Sequence, residues 1–240
     1  MTLTAEITVG DVVVEDPAIA KVFEGLDIDY FCDGRRPLGD ALRECGVSFD
    51  EFRRQRDRGA PHSQACPANG DWRTVPLRHL IRHIIAAHHA YLHSEMPTLE
   101  RWAAQHQASH EVGLPGLLQV LQRLKQEIEV HIRKEETILF PAIADMEAAV
   151  ASGRRPAALP FGTVSNFSRV LEREHRKCAA VLHEISVLAG NHPCPPDASE
   201  DLWTALQRLQ TLVADAHYHI HLENNILFPR AIELEKGGRL

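Results

Sequence analysis

No apolar run in the 240-residue chain approaches the ~18 residues that a membrane-crossing helix requires. The opening stretch, MTLTAEITVGDVVVEDP, lacks the basic start and apolar middle of a secretory signal. Together these absences point to a cytoplasmic protein with no membrane partner. Basic residues are in deficit: 26 Lys and Arg against 33 Asp and Glu leave a net charge of −7. Binding to a phosphate backbone needs a basic patch, so nucleic acid is not an expected partner. Cysteine is sparse. Cys32, Cys45, Cys66, Cys178 and Cys194 form no CxxC pair and are odd in number. Neither a disulfide framework nor a zinc ribbon is expected from them. Apolar residues, at 44 %, suffice for a real core.

Histidine is in excess: there are 15, crowded between His79 and His131. Such an excess with few cysteines points to metal or proton chemistry.

Residues 1–52 read as a small helical unit of three helices. Asp16-Pro17 starts the first, which ends at Gly25. A turn at Phe31-Cys32-Asp33-Gly34 leads to the second, carrying Leu38, Ala41 and Leu42. Ser48 caps the third, with Phe49 and Phe52. Residues 53–73 read as a linker, charged and then rich in Pro, Gly, Ser and Asn. From 74 to 235 the pattern is helical. Thr74 before Val75-Pro76 marks a start, and Leu77, Leu80, Ile81, Ile84, Ile85, His88 and Leu92 form one apolar face. Pro97 is expected to interrupt or kink that helix. Leu117, Leu121, Leu124, Ile128, His131, Glu135 and Ile138 make a second face. Phe167, Val170, Leu171, Glu174, Cys178 and Leu182 make a third. Leu202 to Ile226, capped by Ser199, makes the fourth. The fold class is all-α: an up-down four-helix bundle behind a small helical N-terminal domain.

An internal repeat outweighs every other feature. Residues 131–141 read HIRKEETILFP and residues 219–229 read HIHLENNILFP. Both carry His-x-x-x-Glu followed by Ile-Leu-Phe-Pro. Residues i and i+4 share a helix face, and here the pair lies on the apolar one. Two carboxylates buried there without partners would each cost several kcal/mol and repel one another. A bound cation removes both problems. Pro141 and Pro229 each remove a backbone hydrogen bond and are expected to kink the helix beside the pair.

The other two helices repeat as well: His88-His89 matches Glu174-His175. Periodicity favours His88 as the inward residue, whereas repeat parity favours His89. The candidate metal set is His89, His131, Glu135, His175, His219 and Glu223. Four imidazoles and two bridging carboxylates suit two octahedral ions sharing an oxo or hydroxo group, with about one open position per ion. Such a donor set without thiolate favours iron or manganese. A purely structural polar network is the alternative. Glu174 reads as a group that backs a ligand or relays protons. His83, His93, His217 and His221 fall off the stripes and read as solvated. His106 and His110 read as surface residues. Cys178 reads as core, and Cys66 and Cys194 as loop residues.

The residues 83–97 (HIIAAHHAYLHSEMP), 131–141, 172–175 (EREH) and 219–231 resemble the hemerythrin-like di-iron domain. With residues 9–34 (VGDVVVEDPAIAKVFEGLDIDYFCDG) the chain resembles the repair-of-iron-centres family of the ScdA/YtfE type. The resemblance implies a cytoplasmic di-iron protein that repairs iron–sulfur clusters damaged by nitrosative or oxidative stress, by iron donation. It implies the six ligands above, with His89 in place of His88. The implied partners are damaged iron–sulfur proteins, with NO or O2 at the metal site, and the state is monomer or homodimer. Alternatives are an O2- or NO-binding carrier or sensor, or a di-iron nitric oxide reductase. Where the family has two adjacent cysteines in the N-terminal turn, this chain has Cys32-Asp33.

Overall fold

The computed structural model describes residues 3–59, 71–106, 116–190 and 199–237, and every regular element among them is helical. His110, Cys66 and Cys194 lie outside the described residues.

The N-terminal unit holds four α-helices, one more than the sequence reading has. Helix α1 (Val9–Glu15) is the addition. Its run of β-branched valines favours extended backbone. Two local facts override that preference. The Thr8 side chain accepts from the Asp11 N–H at 3.1 Å, and Val9, Val12 and Val13 are buried. Asp16 then accepts from the Ala18 N–H, starting a 3-10 turn at Pro17–Ile19 that runs into α2 (Ala20–Gly25). Helices α3 (Leu38–Glu44) and α4 (Phe49–Gly59) complete the unit. Phe23 of α2 stacks on Phe52 of α4 at 5.6 Å. Fully burying such a ring contributes roughly 1.5–3 kcal/mol. The linker expected from residue 53 starts later, because α4 runs to Gly59. The Arg54–Glu51 pair lies along its surface, one turn apart.

Four long helical rods follow. The first is α5 (Leu77–His83), a π turn (Ile84–His89) and α6 (Ala90–His106). The second is α7 (Leu117–Lys134), a π turn (Glu135–Leu139) and α8 (Phe140–Ala151). The third is α9 (Val164–Gly190), without interruption. The fourth is α10 (Glu200–Leu222), a π turn (Glu223–Leu227) and α11 (Phe228–Gly237). Helix α6 packs on α7, α7 on α9, α9 on α10, and α10 back on α6, which closes the ring.

Several local expectations change in three dimensions. The first rod starts at Leu77, directly after Thr74-Val75-Pro76, but no side chain of that segment caps it. The backbone N–H groups of Leu77 and Arg78 donate instead to the Glu147 carboxylate of α8, at 2.6 and 3.1 Å. A charged cap from a neighbouring helix also suits the positive end of the helix dipole. Helix α6 continues through Pro97 and is not interrupted there. Val170 and Ile138, placed on the apolar faces by periodicity, are outward at 36 % and 40 % exposure. For Ile138 the reason is the π turn, which adds a residue and passes the inward place to Leu139. Pro141 and Pro229 each stand just after such a turn, where the Phe140 and Phe228 N–H groups reach back five residues to Glu135 and Glu223. The turn absorbs a position where proline has no N–H to give.

The N-terminal unit docks on the fourth rod. The Phe31 ring stacks on His217 at 3.9 Å, and the Asn225 side chain donates to the Tyr30 carbonyl at 3.0 Å. His221 is fully buried there, its ring 5.6 Å from that of Tyr30. The reading of His217 and His221 as solvated is therefore corrected. Both lie off the bundle's stripe but on the face that the N-terminal unit covers. Gly10 and Gly34 permit the close approach. A Cβ at Gly10 would lie 2.9 Å from the Gly34 carbonyl, and a Cβ at Gly34 would collide with the Asn225 amide. Gly34→Ala is accordingly expected to displace the Asn225 amide and cost the Tyr30 carbonyl one of its two partners. The cost is about 0.5–1.5 kcal/mol, read as a lower unfolding midpoint.

Candidate metal centre

The repeat puts His131 and Glu135 on the second rod and His219 and Glu223 on the fourth, each pair one helical turn apart. Both carboxylates head a π turn. On the first rod the π turn ends at His88-His89, so the helical phase shifts by a residue and both imidazoles are buried. Simple 3.6-residue counting therefore selects His88 where the geometry selects His89. His89 Nε2 lies 3.5 Å from Glu135 Oε2 and 3.1 Å from His219 Nε2. His88 turns away, with Nδ1 2.9 Å from Asp215 Oδ1 and its ring parallel to His219 at 5.7 Å. His175 comes from the unbroken α9.

The six side chains meet in two groups. His89, Glu135, His219 and Glu223 form one, and His131, Glu135, His175 and Glu223 the other. In each group the four candidate atoms lie within 4.8 Å of one another. All six residues are at most 4 % exposed. Each carboxylate divides its two oxygens between the groups. Glu135 turns Oε1 to His131 at 3.1 Å and Oε2 to His89. Glu223 turns Oε1 to His219 at 3.0 Å and Oε2 to His175 at 3.1 Å. Among the described residues, both oxygens of Glu135 and one of Glu223 have no hydrogen-bond donor. Nitrogen faces nitrogen as well: His131 and His175 Nε2 are 2.8 Å apart. At most one hydrogen fits between such a pair. Converging lone pairs and orphaned carboxylate oxygens in a dry interior are what a cation would satisfy.

Three of the four outer ring nitrogens are held. His89 Nδ1 is 2.8 Å from Glu136, His131 Nδ1 3.1 Å from Glu174, and His175 Nδ1 2.8 Å from Asn224 Oδ1. Each partner is an oxygen acceptor, so Nδ1 carries a hydrogen, and the neutral ring then presents its Nε2 lone pair inward. Glu174 also pairs with Lys134, and the His131 contact foremost holds its carboxyl down at about 2. Burial by itself would depress His131. The surrounding Glu135, Glu174 and Glu223 outweigh that and raise it to about 10. His219 behaves oppositely: burial prevails over Glu223 and lowers it to about 4. Burial would raise Glu223, but His219 and His175 hold it well below the usual carboxylate range. A cation on the His131 side must therefore displace a proton.

Glu174 thus sits where the sequence reading has it, behind a candidate ligand. Glu136, Asn224 and the His88–Asp215 pair were not singled out. A signal for two of them existed: Glu136 and Asn224 both directly follow the repeated glutamate. His106 stacks on Trp102 and lies 3.2 Å from Asp201, outside the centre. His83 is half-buried beneath Trp72 and not solvated, whereas His93 is exposed. Cys178 is core, and burial pushes its thiol up to about 12. Cys32 is a free, half-buried thiol that burial and Asp29 keep protonated, which suits it poorly to nucleophilic chemistry.

Comparison with known proteins agrees with this geometry. The family model "Hemerythrin HHE cation binding domain" matches residues 80–231, and the ScdA_N model, a domain of unknown function (DUF542), matches residues 5–55. The chain is 31 % identical over 227 residues to proteins named iron-sulfur cluster repair protein YtfE from Salmonella newport (strain SL254) and Escherichia coli O81 (strain ED1a). The match covers 93 % of this chain and 95 % of theirs. Buried imidazoles and carboxylates converging inside a hemerythrin-type bundle make a metal-binding site. The chain belongs to the hemerythrin HHE cation binding domain family, in the two-part form it shares with the iron-sulfur cluster repair proteins YtfE.

Proposed function

We propose that His89, His131, Glu135, His175, His219 and Glu223 hold two iron ions, and that the chain donates iron to cytoplasmic iron–sulfur proteins damaged by nitrosative or oxidative stress. The observation that carries the reading is the division of each carboxylate between two ligand groups. A single ion could not occupy both groups, because each converges on its own point through different imidazoles. Imidazole and carboxylate donors without thiolate suit iron. The name of the relatives, iron-sulfur cluster repair protein, supports repair as the role.

Bound iron would supply both a labile ferrous cargo and a place for NO or O2 to bind. The protein's own part is to hold that cargo without sealing it in. Glu136 and Glu174 keep the His89 and His131 lone pairs aimed inward and raise their basicity. With no ion bound, His131 Nε2 would hold a proton against Glu135 Oε1, 3.1 Å away, and that proton would lower the cost of an empty site.

Iron transfer tests the proposal. Reduced, iron-loaded protein mixed with an apo iron–sulfur protein and sulfide is expected to restore the cluster absorption. No restoration under those conditions would sink the donation role. Multiple-turnover nitrous oxide formation in its place would identify a reductase. Glu174→Gln is expected to weaken iron binding by about ten- to a hundred-fold, because the His131 ligand loses its anionic partner. A metal titration measures this.

A further inference from the structure

We propose that Asn224 is a positioning residue that links the N-terminal unit to one half of the metal centre. Docking of the Tyr30–Cys32 turn then sets how tightly the ion on the His131–His175 side is held. This rests on the iron-pair reading above.

Asn224 bridges two parts of the chain that are distant in sequence. Its Oδ1 accepts from His175 Nδ1 at 2.8 Å, and its Nδ2 donates to the Phe31 carbonyl at 3.0 Å. The neighbouring Asn225 Nδ2 donates to the Tyr30 carbonyl at 3.0 Å. Three consecutive residues of one π turn thus serve in order as metal-facing carboxylate, link and anchor.

The internal repeat shows what is particular here. At the matching place on the second rod stands Glu136, which accepts from His89 Nδ1 with a carboxylate 36 % exposed. A carboxylate can only accept, so it orients its imidazole unaided. An amide has two unlike ends. With Nδ2 turned to His175, it would favour the tautomer that carries its hydrogen on Nε2, and the lone pair facing the centre would be lost. The Phe31 carbonyl prevents this, because it accepts only and so claims Nδ2. When the turn lifts away, the amide is free to rotate and His175 loses its orientation. The His89 side, backed by Glu136, is unaffected.

Release of iron from loaded, reduced protein to a ferrous chelator tests the link, followed by stopped-flow and paired with amide hydrogen exchange over residues 29–36. In wild type, iron loading is expected to slow exchange in that segment, since coupling between two sites is reciprocal. Asn224→Ala is expected to speed release of one iron by about ten- to a hundred-fold and leave the other unchanged. Asn224→Asp keeps an oxygen for His175 but cannot donate to Phe31. It should retain slow release while exchange in 29–36 no longer responds to iron. Asn225→Ala loosens the turn without touching His175, and it should accelerate the same iron to a smaller degree. That variant also decides the matter if Asn224→Ala does not fold. Wild-type release rates in the alanine variants, equal acceleration of both irons, or exchange indifferent to loading would each overturn the link while the iron pair stands. Wild-type protein that takes up no iron pair would overturn both readings.

Discussion

Glu223→Ala is expected to remove both irons, whereas His89→Ala removes one. The two carboxylates belong to both ligand groups, and each imidazole belongs to a single group. With Glu223 gone, the His89–His219 group loses an oxygen and so does the His131–His175 group. Glu135→Ala should behave in the same way. His219→Ala combined with Glu223→Ala should leave a colourless protein, without the oxo-bridge absorption expected of the loaded wild type. Iron analysis of helical, purified variants measures the outcome. One iron retained in Glu223→Ala, or both lost in His89→Ala, would contradict the shared-carboxylate arrangement.

Stripping the metal is the second large effect, and it acts on stability. Without a cation, the two carboxylates and four imidazoles stay buried against one another, Glu135 Oε1 3.1 Å from His131 Nε2. Binding stabilises by RT ln(1 + [L]/Kd), about 2.7 kcal/mol at a hundredfold excess over Kd and about 4.1 at a thousandfold. In a chain of this size each kcal/mol moves the midpoint by roughly 2–4 °C. Metal-free protein should therefore melt about 5–16 °C below the loaded form. Glu135→Gln should narrow that gap, because it removes an oxygen ligand that both groups share. In metal-free protein it also takes the anionic partner from His131, and breaking one side of a buried ion pair is destabilising by about 3–5 kcal/mol. Calorimetry on both forms of both proteins checks this, and a variant whose midpoint rises with iron as far as that of the wild type would contradict it.

The legible part of this protein is the part built from short-range periodicity. The four apolar stripes needed only 3.6-residue spacing, and His131/Glu135 and His219/Glu223 needed only i,i+4 adjacency. Repetition then marked helices one and three as partners. The misplaced residues have local causes as well, but causes that periodicity does not encode. Ile138 turns outward because a π turn adds a residue after Glu135. Valine-rich α1 is helical because Thr8 caps it and its valines have a core to meet. The end of α4 ran past the expected boundary because a helix with paired surface charges does not need an apolar stripe to continue.

The sequence alone determined the all-α class, the four rods and the pairing of histidine with glutamate on two of them, since each depends on residues within a turn or two. The repeat pointed to His89 over His88, and Glu174 was legible beside His175. Tertiary structure alone decided that His88 pairs with Asp215, that Glu147 caps the first rod, and that Glu136 and Asn224 also stand behind imidazoles. His221 is buried for the same kind of reason, under the N-terminal unit. Each of these outcomes depends on where one element crosses another, and a hydrogen bond spanning more than forty residues leaves no periodic trace along the chain.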